Sequence, residues 1–121
     1  ESEQPTEKSV EVNVIKGYHY GDGTAGGSVS LNESSSWSCG NFKAEYGKIY
    51  TVTFTTTWTI SVPYIYLCDD NGVIIQNVPA TAKSCENKIT FTISDNRITS
   101  VYVRSQDYGA GNISAVEKLG E

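Results

Sequence analysis

Between residues 49 and 77 the chain alternates apolar and polar positions in two runs. Tyr50, Val52 and Phe54 are interleaved with Thr51, Thr53 and Thr55. That is the period-2 signature of a strand with one buried and one wet face. Pro63 suits the first residue of a following strand, where a missing N–H is tolerated. Residues 64–68 then return as aromatic and β-branched positions, with Tyr64 and Tyr66 on one side and Ile65 and Leu67 on the other. Asn71-Gly72 is the pair that a tight hairpin with positive φ demands. The loop joining the two runs, residues 58–62, carries Trp58 where no hairpin geometry requires an aromatic.

The same pattern recurs along the chain. Val10, Val12 and Val14 alternate with Glu11 and Asn13 and predict a first strand over 10–16. Residues 29–31 and 36–42 are short strand candidates around a polar stretch. Residues 73–77, 88–93, 99–105 and 112–117 are further candidates, with Ile89, Phe91 and Ile93 on one face and Val101 and Val103 on another. Residues 17–28 hold five glycines and read as a long loop, a feature that is usually functional or disordered. No helix-period segment with caps occurs. Short strands with turns every 8–12 residues predict an all-β, antiparallel β-sandwich of jelly-roll type. Residues 1–9 read as a polar linker or tether, and residues 10–121 as a single β-sandwich domain.

If consecutive strands run antiparallel, the loops 58–62, 78–86 and 106–111 gather at one end. The turns 43–48, 69–72 and 94–98 gather at the other. Function tends to sit on loops held by a rigid scaffold, so the end bearing Trp58 is the preferred site.

Charge narrows the partners. The 121 residues carry a formal net charge of −5 and no Lys/Arg cluster, which argues against nucleic acid or an anionic membrane. No apolar run is long enough to span a bilayer. The abundance of Thr, Ser, Asn, Gly and Tyr is that of extracellular β-domains. The absence of Met, even at position 1, suggests a processed chain or a domain of a larger protein. Cys39, Cys68 and Cys85 are an odd set. One disulfide plus a free thiol and three reduced thiols are both open, Cys68–Cys85 being the shorter loop.

Sugars are held by aromatic faces against their C–H surfaces and by planar polar groups on their hydroxyls. One group of candidates is loop-borne: Trp58, Asp107 and Tyr108, with Lys83 and Asn112 nearby. A second lies on a sheet face: Tyr64, Tyr66, Tyr102 and Arg104. If Ile65 and Leu67 are core, Tyr64 and Tyr66 face outward, where they would serve a sugar or pack on cross-strand neighbours. Trp37 reads as core. Tyr18-His19-Tyr20 is a weaker candidate in the glycine-rich loop.

Other chemistry has less support. Asp69-Asp70-Asn71-Gly72 lacks the ligand spacing of a calcium loop, and a hairpin turn explains it. Calcium through Asp22, Asp95 and carbonyls stays worth testing, but no cofactor is expected. The chain has one His and no nucleophile elbow. Its carboxylate pairs lie in turns or the tether, so the two-carboxylate requirement of glycoside hydrolysis is not met. Asn32-Glu33-Ser34 and Asn112-Ile113-Ser114 match the glycosylation sequon and read as accidental in so Asn- and Ser-rich a chain.

Residues 36–118 carry a looser signature. Gly47, Tyr50 and Val52 form a strand entry, followed by Tyr64, Ile65, Leu67, Asp69 and Gly72, then a Thr-Phe-Thr-Ile strand over 90–93 and a Val-Tyr-Val-Arg-Ser strand over 101–105. This resembles the jelly-roll modules of phage tail and receptor-binding proteins and of modular bacterial glycosidases. The resemblance implies noncatalytic glycan binding. It rests on core positions and turns, transfers no ligand motif, and does not reach the first 35 residues.

The expectation is therefore a noncatalytic carbohydrate-binding module, extracellular or on a cell or virion surface, with no nucleic acid partner and no membrane insertion. Its expected ligand-binding residues are Trp58, Tyr64, Tyr66, Lys83, Arg104, Asp107 and Tyr108. The alternative is a structural or protein-interaction domain of a phage tail or bacterial surface assembly.

Overall fold

A computed structural model describes residues 6–21, 25–55, 65–78, 86–105 and 113–119. Among them run β1 (Glu7–Val10), β2 (Asn13–Tyr20), β3 (Leu31–Lys43), β4 (Ile49–Thr55), β5 (Ile65–Cys68), β6 (Ile74–Val78), β7 (Glu86–Thr92), β8 (Ser100–Ser105) and β9 (Ile113–Lys118). They form two antiparallel sheets, β1-β9-β4-β7 and β2-β3-β8-β5-β6. The expected antiparallel β-sandwich is the architecture found. The pairing is nested: β1 pairs with β9, β3 with β8, β4 with β7 and β5 with β6. Among the described residues there is no helix long and apolar enough to cross a membrane.

The alternation in each strand decides what lies between the sheets. Val52 and Phe54 of β4, Phe91 of β7 and Ala115 of β9 turn inward from one sheet. Phe42 of β3, Ile65 and Leu67 of β5, and Val101 and Val103 of β8 meet them from the other. Fully burying each of the larger apolar side chains stabilises the fold by about 1.5–3 kcal/mol.

The opposite face of the five-stranded sheet is also covered. At Gly17 the β2–β3 register slips between Lys16 and Tyr18, and Gly17 takes φ of 83°. A bulge of this kind bends its strand, and glycine adopts positive φ without the Cβ clash of other residues. Beyond the bend the β2–β3 hairpin reaches the sheet's far edge, β6. Gly26 donates to the Ile74 carbonyl at 2.8 Å, Ile74 to the Gly27 carbonyl at 2.7 Å, and Val29 to the Gly72 carbonyl at 3.0 Å. Beneath it lies a second core of Tyr20, Cys39, Tyr66, Cys68 and Ile74, flanked by Ile15, Val29 and Tyr102.

Three boundaries differ from those expected. Val10, Val12 and Val14 all pack on the main core, but the chain changes sheets between β1 and β2, so one expected strand is two. The tether's last residues join β1, which pairs with β9. The candidates over 29–31 and 36–42 fuse into β3, which pairs with β2 on both sides of the register shift, Leu31–Glu33 against Tyr20–Tyr18 and Ser38–Asn41 against Lys16–Asn13. The same pairing carries β2 through Tyr20 into the glycine-rich segment.

Candidate functional site

Of the residues predicted to bind ligand, Trp58, Tyr64, Lys83, Asp107 and Tyr108 lie outside the described residues. Tyr66 and Arg104 are described, and neither offers a face to solvent. Tyr66 does project from the side of β5 opposite Ile65 and Leu67, but the second core covers that side and leaves it 1% exposed. The expectation that Tyr66 faces outward into solvent is therefore corrected. Its hydroxyl donates to the Gly21 carbonyl at 3.0 Å and accepts from Arg104 Nη1 at 3.0 Å. Arg104 is 5% exposed, and its guanidinium sits 5.0 Å from the centroid of the Trp37 ring, a cation–π contact. Trp37 packs half-buried against the main core. This polar knot pins the hairpin to the sheet.

The two ends of the sandwich divide as the alternation predicted, as far as the described residues reach. At one end the turns are bound together: Ala44 donates to the Thr99 carbonyl at 3.0 Å, Thr99 to the Cys68 carbonyl at 2.9 Å and Gly47 to the Ile93 carbonyl at 2.8 Å. At the opposite end Thr55 pairs with Glu86, Phe54 with Ile113, and Ile65 with Val78 and Val103. The segments 56–64, 79–85 and 106–112 all leave from and return to these strand ends.

The turn carboxylates are engaged in local structure. Asp69 Oδ1 accepts from the amides of Asn71 and Val73 at 2.8 and 3.0 Å, and Asp70 Oδ1 from Thr99 Oγ1 at 2.6 Å. Asp95 is chelated by Arg97, which holds its carboxyl down at about 2. Among the described residues no three metal-ligating side chains gather. Cys39 and Cys68 are buried free thiols. Burial pushes both up, Cys68 to about 12 with some help from Asp69.

Where the second core ends, the outer face of the five-stranded sheet opens into a cleft of about 330 Å³. Its walls come from Glu11, Val12 and Asn13 at the entry to β2, Asn41, Phe42 and Lys43 at the end of β3, and Ser100 and Tyr102 of β8. The register builds it. Asn13 lies opposite Asn41, Asn41 opposite Tyr102, and Lys43 opposite Ser100. Directly opposed residues point to the same face of a sheet and stand about 4.5–5.5 Å apart. Two amides and an aromatic ring thus form one row across three strands, with a lysine and a serine in the next.

Tyr102 is half-buried, its ring meeting Tyr20 edge-on with centroids 5.1 Å apart and planes at 84°. Asn41 Nδ2 donates to Tyr20 Oη at 3.0 Å. Glu11, Asn13 and Lys43 are exposed. The arrangement can present an apolar ring surface beside planar amides, a hydroxyl, a carboxylate and an ammonium.

The aromatic sheet-face pattern marks Tyr102 in the sequence, but nothing marks its neighbours. Asn13 and Asn41 are ordinary polar positions in alternating strands. Only the cross-strand register, which no local pattern carries, brings them level with Tyr102.

No family model, curated protein or solved structure matches the chain.

Proposed function

We propose that this domain is a noncatalytic carbohydrate-binding module of jelly-roll type, carried as part of a larger extracellular, cell-surface or virion-surface protein. The observation that carries the reading is the cleft's row of Asn13, Asn41 and Tyr102. A pyranose offers a C–H face and a ring of hydroxyls, and this row offers an aromatic ring beside amide donors and acceptors. At about 330 Å³ the cleft is at the small end of ligand sites, suited to one or two sugar rings. Among the described residues Glu11 is the one carboxylate that lines it, whereas glycoside hydrolysis uses two. The nested strand pairing supports the jelly-roll subtype: a long ribbon folded on itself pairs its first strand with its last and its middle strands with each other.

Trp58, Tyr64, Lys83, Asp107 and Tyr108 enter this proposal as a second locus. Their segments join strand ends at the end opposite the tight turns, so sugar contacts there would be distinct from those in the cleft. Tyr66 and Arg104 have no place in it, being held in the buried knot.

Affinity electrophoresis of the domain through plant, mucin and bacterial-wall polysaccharides tests the proposal. The expected result is retardation by at least one polymer. Asn13→Ala should weaken it about 2- to 10-fold, the worth of one hydrogen bond, with an unchanged thermal midpoint. Trp58→Ala separates the loci: loss of retardation in that variant alone places the sugar at the loop end and not in the cleft. Migration unaltered by every polymer overturns the carbohydrate reading.

A further inference from the structure

Beside the row of Asn41 and Tyr102, the cleft holds two polar groups that no described residue engages. Ser100 of β8 is 8% exposed and lines the cleft, and among the described residues its hydroxyl has no hydrogen-bond partner. A hydroxyl largely withdrawn from water costs free energy until something bonds it. Lys43 of β3 stands directly opposite Ser100, exposed and also in the cleft wall. The ion pairs among the described residues are Lys48–Glu117 and Arg97–Asp95, so none of them neutralises the Lys43 ammonium. On the other side of Ser100 the row ends at Cys68, which is fully buried in the second core.

Directly opposed residues share a face of the sheet, so the Lys43 ammonium and the Ser100 hydroxyl are two donors set side by side. An ammonium can only donate, and a hydroxyl carries one proton to give. Two such donors match the two oxygens of a carboxylate, and bonds to an ionised acceptor are the stronger kind. This row lies two residues from that of Asn41 and Tyr102 along the same strands, a step of about 6.5–7 Å. A pyranose lying on Tyr102 with a carboxylate on its exocyclic carbon is long enough to span that step. Glu11 lines the cleft from the entry to β2, across β3 from Ser100. Its carboxylate repels that of the sugar and disfavours the reversed placement, with the acid group toward β2.

We infer that Lys43 and Ser100 form a carboxylate subsite, so that the cleft selects an acidic sugar of the uronic acid class over its neutral counterpart. This rests on the carbohydrate reading of the same cleft and narrows it. The neutral sugar keeps the ring and amide contacts but gives Lys43 and Ser100 no ionised acceptor. A methyl ester of the acid keeps the carboxyl oxygens and loses the charge, and binds as the neutral sugar does.

The test uses the whole domain and NMR titration with methyl glucuronide and methyl galacturonide, their methyl esters, the matching methyl glucoside and galactoside, and sodium acetate. At least one uronide should bind about 5- to 20-fold tighter than its ester and its neutral counterpart, shifting the signals of Asn13, Ser100 and Tyr102. Lys43→Gln should bring the uronide down to the neutral level and leave the neutral sugar unchanged, and Lys43→Arg should restore the preference. Ser100→Ala should weaken the uronide about 3- to 10-fold with no loss of urea stability, because the hydroxyl it deletes has no partner among the described residues. Glu11→Gln should tighten uronide binding. Equal affinity for uronide, ester and neutral sugar overturns the carboxylate subsite and leaves the carbohydrate reading standing. Acetate that binds as tightly as the uronide, with no uronide-induced shift at Tyr102, reduces the subsite to a general anion site and overturns the sugar class. No shift at Asn13 or Tyr102 with any sugar overturns the carbohydrate reading, and the selection with it. A Ser100→Ala domain that is less stable but unchanged in uronide affinity makes the hydroxyl a structural group and overturns its part in the subsite.

Discussion

Inward from β5, Ile65 and Leu67 meet Val52, Phe54 and Phe91 across the sandwich. Outward from the same four residues, Tyr66 and Cys68 meet Tyr20, Cys39 and Ile74 under the folded hairpin. Both faces are dry, but they are held differently. The inner one consists of aliphatic and aromatic groups whose stability grows with the area removed from water. The outer one contains hydroxyls, thiols and a guanidinium, each of which costs free energy to bury unless it finds a partner. It is therefore a core with directions. A hydrocarbon packs against any surface of the right shape, whereas Tyr66 must have Gly21 on one side and Arg104 on the other. Directional packing can orient a group at its margin, and Asn41 and Tyr102 stand at that margin.

The largest effect should come from the inner face. Phe54 is fully buried in the main core, and Phe54→Ala should cost about 3–5 kcal/mol through lost transfer energy and the cavity left behind. Urea denaturation followed by circular dichroism measures it. A loss below about 1 kcal/mol would mean that the main core is not where the stability resides, and the contrast between the faces would fail.

A smaller loss is expected outside, from deletion of one atom. Tyr66→Phe keeps the ring and its contacts but removes the oxygen that serves Gly21 and Arg104. Leaving a buried donor and acceptor without that partner should cost about 1–3 kcal/mol. On the inner face the comparable test is Tyr50→Phe, which removes only the oxygen that accepts from the Glu45 amide at 2.9 Å. If Tyr66→Phe is neutral, the knot is filler and the hairpin is held by its backbone bonds to Gly72 and Ile74.

What the sequence made legible follows the same division. The inner face was readable because burial imposes a period of two: Tyr50, Val52, Phe54 and Val101, Val103 are core by alternation alone. The tight turns were readable because Asn71-Gly72 has few other uses. The outer face was not. Tyr66 lies on the side predicted for it, and nothing local reveals that a hairpin 45 residues earlier in the chain, at Gly21, covers that side. The bend depends on one glycine at a register slip. The cleft depends on three strands brought level by the sheet order β2-β3-β8. Both are non-local facts, written in pairings and not in periods. The division of β1 from β2 escaped for a related reason: Val10, Val12 and Val14 keep their alternation while the chain passes from one sheet to the other.

Cys39 and Cys68 allow the two cores to be compared in one experiment. Both are fully buried in the outer core, and burial raises both thiols, Cys68 to about 12. The thiolate is the reactive species, so at pH 8 the native protein should resist alkylation at these positions twice over, by ionisation and by access. Peptide mass mapping separates them from Cys85. The outer core is the smaller of the two and is roofed by a hairpin, so it should open at a urea concentration where amides of β4 are still protected from hydrogen exchange. The pH dependence has a definite sign. A thiol whose folded pKa is raised stays protonated in the native state while its unfolded counterpart ionises near 9. Stability is thus intact below that pH and falls as pH rises from about 9 toward 12. Raising the pH from 8 to 10 should therefore lower the urea needed for labelling. It should move the β4 protection less, because among the described residues the inner face carries no thiol. Labelling that coincides with loss of β4 protection at both pH values would show that the faces open as one cooperative unit, and that the outer core's polar partners are bound to the sandwich as tightly as its hydrocarbon.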